Sequence, residues 1–118
     1  MTASTEPIET GIPGLPAEAT SQVLEGIRRH PGVRRVILYG SRALGRHRSG
    51  SDIDLCLEAP ALGLNEVLLL GAELDDLLLP WRIDLQLQHL IDHPTLLEHI
   101  ARAGVVLWEQ PGASWPGE

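Results

Sequence analysis

The chain has 118 residues, 43% of them hydrophobic and 21% charged, with a formal net charge of −7. That balance suits one globular domain and excludes a general binder of nucleic acid or anionic membrane. All nine basic residues are arginine, which removes any chemistry that needs a lysine, and the single cysteine, Cys56, fits a reducing compartment.

Residues 1–14 are rich in Thr, Pro, Gly and Glu and read as a flexible leader without the charged and apolar regions of a secretory signal. Next, "PAEATSQVLEGIRRH" has helix-forming composition and stops at Pro31-Gly32. "VRRVILY" is β-branched and reads as a strand ended by Gly40. "SDIDLCLE" alternates, with Ile53, Leu55 and Leu57 on one side and Asp52, Asp54 and Cys56 on the other. "LNEVLLLGAELDDLLL" reads as one long Leu-rich helix with Asn65 as its N-cap. Its leucines, Leu68 to Leu70 and Leu77 to Leu79, cover more of the circumference than one buried face needs, which suits a docked partner or a homodimer. "RIDLQLQ" alternates again, setting Asp84 with Arg82 and Gln86. "PTLLEHIARAG" reads as a short helix with Gly104 at its C-cap, and "VVLWE" as a last strand. The folded domain is placed at residues 15–109, and residues 110–118 read as a flexible tail in which Trp115 could dock. No apolar run approaches the ~18 residues of a membrane span, so a cytoplasmic protein is expected.

The fold class that follows is α+β: a small mixed β-sheet with helices packed on one face and an open catalytic face. Asp52, Asp54 and Asp84 share that open face. Converging carboxylates repel one another, and a divalent cation relieves the repulsion; oxygen-only ligands favour Mg²⁺ or Mn²⁺. Just upstream, Gly40 and Ser41 form a turn whose N–H groups suit phosphate oxygens, and Arg42, Arg46 and Arg48 add positive charge. Phosphate turn followed by metal carboxylates points to nucleoside triphosphate chemistry. "GSRALGRHR" is not the lysine-containing phosphate loop of NTPases, because Arg46-His47 stand where Lys-Ser/Thr is required. "HLIDH" lacks the Glu of a zinc-protease helix, so His89 and His93 are not assigned to zinc.

Gly40-Ser41, ten intervening residues, then Asp52-Ile53-Asp54 resembles the GSx10DxD signature of the polymerase-β-like nucleotidyltransferases, and residues 33–109 resemble their minimal (MNT) group. The resemblance implies that Gly40 and Ser41 bind the triphosphate of ATP, and that Asp52, Asp54 and Asp84 are catalytic and bind two Mg²⁺ ions. Arg42, directly after the turn, and Ser51, directly before Asp52, complete the nucleotide-binding candidates. One departure is Leu44, where the group commonly has a second arginine. The group is commonly paired with small all-helical HEPN proteins, whose tyrosine it adenylylates as an antitoxin in a hetero-oligomer. The alternatives are nucleotidyl transfer to a small molecule such as an aminoglycoside, or an antitoxin acting by occlusion alone.

Overall fold

The computed structural model describes residues 11–111. Within these residues three α-helices and four strands follow in the order α1 (Ala17–Arg28), β1 (Arg35–Tyr39), β2 (Ile53–Glu58), α2 (Leu64–Asp75), β3 (Ile83–Leu87), α3 (Pro94–Ala103) and β4 (Val105–Glu109). The strands form one sheet in the order β3-β2-β1-β4. β1 pairs antiparallel with β2 and β4, whereas β2 and β3 run parallel. A parallel pair needs a crossover, and α2 supplies it. The chain thus forms the expected α+β fold with a small mixed sheet.

Period-two alternation divides the strand residues between two faces. Val36, Leu38, Ile53, Leu55, Leu57 and Leu87 join Val23, Leu24 and Ile27 of α1 and Val67, Leu70 and Leu74 of α2 in the main core. On the opposite face, Ile37, Tyr39 and Cys56 meet Ile100 of α3 in a second, smaller cluster. α3 therefore covers the middle of that face, and the end bearing Asp54 and Asp84 is left open.

Two local details differ from the sequence reading, and a third agrees for a different reason. α2 begins at Leu64 with Gly63 as its N-cap, not Asn65, because the Glu66 carboxylate reaches back to accept the Gly63 N–H at 2.9 Å. The same helix ends at Asp75, before Leu77, Leu78 and Leu79. Leu77 and Leu79 pack on the core, while Leu78 has a positive φ of 56° and is 87% exposed. Gly104 is the C-cap of α3, as expected, but its backbone is extended (φ −66°, ψ 145°), so left-handed freedom is not why glycine stands there. A Cβ at Gly104 would collide with the Ile100 carbonyl and the Ile37 side chain. Glycine lets the chain turn tightly from α3 into β4 against β1.

Part of the stretch read as a loose leader is packed. Ile12 is buried in the main core, and its N–H donates to Thr20 Oγ1 at 3.3 Å. At the other end the Gln110 N–H donates to the Arg34 carbonyl at 2.8 Å. Trp115 lies outside the described residues. Among the described residues no helix is long and apolar enough to cross a membrane.

Candidate active site

The open end of the sheet is organised as a row. Tyr39 on β1 pairs with Asp54 on β2, which pairs with Asp84 on β3. Partners in register share a face, so the phenol and both carboxylates stand side by side above the sheet. Asp52 lies two residues before Asp54, just ahead of β2, and is exposed.

The electrostatics follow from this arrangement. The Asp54 carboxyl is pushed above its ordinary value, first by burial and then by the neighbouring Asp84 and Asp52 charges. Burial, then Asp84 and Asp54, hold the Tyr39 phenol well above its ordinary value too. Cys56, one step further along β2, is raised by burial and by Glu58 to about 11 and stays a thiol. No group of three or more His, Cys, Asp or Glu side chains is gathered as metal ligands among the described residues. The donor chemistry nevertheless fits a hard divalent cation, because the Asp84 and Asp52 carboxylates already oppose ionisation at Asp54.

Gly40 ends β1 with a φ of 78°, which favours glycine. A side chain would also strike the Asp54 carboxylate. The close approach that glycine permits is therefore to Asp54, a neighbour the sequence does not reveal. Beyond Gly40 the chain makes a single tight turn: the Leu44 N–H donates to the Gly40 carbonyl at 3.1 Å, and the Arg46 N–H to the Ser41 carbonyl at 2.8 Å. These bonds consume carbonyls. No hydrogen bond engages the N–H groups of Ser41, Arg42 or Ala43 among the described residues.

Arg42 takes a different place from the one its sequence position implies. Its side chain is only 1% exposed. The guanidinium donates to the Pro13 carbonyl at 2.7 Å and to the Ser51 carbonyl at 2.7 Å. It thus ties residues 11–14 and the far end of the 42–51 loop together, rather than facing the open end of the sheet. Ser51 is likewise engaged in the loop, its Oγ accepting the Arg48 N–H at 2.8 Å. The Trp81 indole adds a third tie, donating to the Ser49 carbonyl at 3.0 Å. Arg46 and Arg48 are exposed, and no hydrogen bond or ion pair holds either guanidinium among the described residues. Arg42→Lys, which keeps the charge but loses the fork, is expected to destabilise the fold by about 2 kcal/mol. Urea unfolding would measure it; unchanged stability would return Arg42 to the role of a ligand contact.

Two residues at the site escaped the sequence reading. Tyr39 looked like the last apolar residue of a strand. His99, on α3, accepts the Gly40 N–H on Nε2 at 3.1 Å and meets the Tyr39 ring edge-on, with centroids 6.2 Å apart. His93, by contrast, caps α3, its Nδ1 accepting the Leu96 N–H.

The mixed sheet, with carboxylates on adjacent strands beside a Gly-Ser turn, is consistent with the nucleotidyltransferase fold. The family described as Polymerase beta, Nucleotidyltransferase matches residues 21–112, and the chain belongs to it. No curated protein matches the sequence significantly. Among solved structures, a chain of a toxin–antitoxin crystallised with AMP-PNP is similar at 23% identity and a TM-score of 0.65, over 76% of this chain and 73% of that one. A complex of tri-AMPylated Shewanella oneidensis HEPN toxin with MNT antitoxin gives 20% identity and a TM-score of 0.61, over 79% and 71%. The toxin–antitoxin MntA-HepT gives 20% and 0.61, over 80% and 74%.

Proposed function

We propose that this protein is an antitoxin that transfers AMP from ATP to a tyrosine hydroxyl of a small all-helical HEPN-type toxin. The row of Asp54 and Asp84 beside the Gly40 turn carries this reading. The likeness to a toxin–antitoxin with AMP-PNP and to a complex of an AMPylated HEPN toxin supports it.

In this mechanism the Ser41, Arg42 and Ala43 amides and the Ser41 hydroxyl bind the triphosphate, and exposed Arg46 and Arg48 draw it in. Asp52, Asp54 and Asp84 would hold two Mg²⁺ ions, or Mn²⁺, whose chemistry when bound is neutralisation of the triphosphate and acidification of the acceptor hydroxyl. The acceptor oxygen bonds to the α-phosphorus in line with the departing oxygen. The bond to the β-phosphate breaks, pyrophosphate leaves, and the hydroxyl proton passes to Asp84 or to solvent. We read the outer side of α2 as a docking surface for the partner, across the sheet from the face that receives the acceptor hydroxyl. There Leu64, Leu68 and Leu69 are exposed and Glu73, Asp75 and Asp76 crowd the helix C-terminus, where negative charge is least favoured. The matching face is apolar with a basic rim.

Incubated with a small helical HEPN-type protein, ATP and Mg²⁺, the protein is expected to add the mass of AMP to a tyrosine of that partner. Intact-mass and peptide analysis would detect the addition. An Asp52→Asn/Asp54→Asn double variant that still neutralises the partner would establish occlusion instead. An aminoglycoside modified in place of the partner would establish small-molecule transfer.

A further inference from the structure

The Gly40 peptide is pinned from two sides. Its N–H donates to His99 Nε2 at 3.1 Å, and the space where a side chain would project from its Cα is filled by the Asp54 carboxylate. His99 is half-buried on α3, a regular helix fixed to β1 by Ile100, which packs with Ile37, Tyr39 and Cys56. The imidazole is steadied further by its edge-on contact with Tyr39, at an interplanar angle of 75°. An Nε2 that accepts this bond carries no proton, and in a neutral ring the proton then sits on Nδ1. Because Gly40 can populate both signs of φ, its peptide is easily reoriented. Every amide offered to a phosphate follows directly after it.

We propose that His99 is a positioning residue: by accepting the Gly40 N–H it fixes the orientation of the Gly40–Ser41 turn, and so the grip on the nucleotide triphosphate. The proposal rests on the nucleotidyl-transfer reading of the site. It assigns His99 no contact with the reacting atoms and no proton transfer.

Two variants isolate the hydrogen bond. His99→Leu keeps apolar bulk against Tyr39 but has no acceptor, and His99→Gln restores an acceptor oxygen at similar reach. Calorimetric binding of AMP-PNP with Mg²⁺, Gly40 amide exchange by NMR, and steady-state transfer kinetics are the readouts. His99→Leu is expected to bind AMP-PNP roughly five- to tenfold more weakly, as for loss of one hydrogen bond. Its KM for ATP should rise by the same factor while kcat changes less than KM, and its Gly40 amide should exchange faster. His99→Gln is expected to recover affinity, KM and amide protection. AMP-PNP affinity in His99→Leu equal to that of the parent would overturn the positioning role and leave the transfer reading standing. A parent protein that binds no AMP-PNP would overturn both, whatever the Gly40 amide does.

Discussion

Asp54→Asn is expected to cut nucleotidyl transfer by about 10³-fold or more while raising the melting temperature of the protein in chelator. The two effects have one cause. The native state holds the Asp54 proton more tightly than the unfolded chain does, because burial and the Asp84 and Asp52 charges oppose ionisation. Below the ordinary value of 3.8 both states are protonated and the penalty is absent. As pH rises from there through the raised native value, stability falls, and at neutral pH the whole penalty is present. Asparagine removes it, so the variant should melt above the parent at neutral pH, with the difference closing as the pH drops to about 3.8. Calorimetric melts in EDTA across that range test the claim. A variant melting below its parent at neutral pH would make Asp54 a structural residue.

Gly40→Val is expected to act on fold and site together. The left-handed backbone at Gly40 costs a side chain about 1–2 kcal/mol, and overpacking against the Asp54 carboxylate adds about 1–3 kcal/mol. The variant that survives this loss should bind no ATP, because the turn and the carboxylate have been pushed apart. Gly45→Ala is the control. Gly45 has a similar φ of 72°, but a Cβ there meets nothing within 4 Å, so only backbone strain is expected and ATP binding should persist. Chemical denaturation and calorimetric titration of both variants would decide. Equal losses of ATP affinity would mean that strain alone, without the Asp54 contact, governs the site.

The strands were legible because their signal is local. Ile53, Leu55 and Leu57 alternate with Asp54 and Cys56, and Ile83 and Leu85 with Asp84, so the shared face of the carboxylates followed from period two alone. The end of α2 was not legible in the same way. Leucine favours a helix beyond Asp75 as strongly as before it, and what stops the helix is burial of Leu77 and Leu79 by the core, with Leu78 turned outward. Arg42 was misplaced for a different reason. Arginine beside a phosphate turn reads as a ligand contact, and its burial depends on Pro13, 29 residues earlier. His99 gave no signal at all, since its partner Gly40 is 59 positions away and a histidine within an amphipathic helix is unremarked by any spacing rule.

That separation also sets an order of assembly during synthesis. A ribosome adding roughly 5–20 residues per second needs roughly 3–12 s to cover the 59 residues from Gly40 to His99. Over that interval β1 also waits for β4, whose Glu109 pairs with Arg35. The Gly40–Ser41 turn is thus translated well before the segments that anchor it. Long-range closures of this kind form slowly. A growing or truncated chain would carry the whole Gly-Ser and Asp-Ile-Asp signature without these anchors, so a fixed turn arrives only once α3 and β4 have been made.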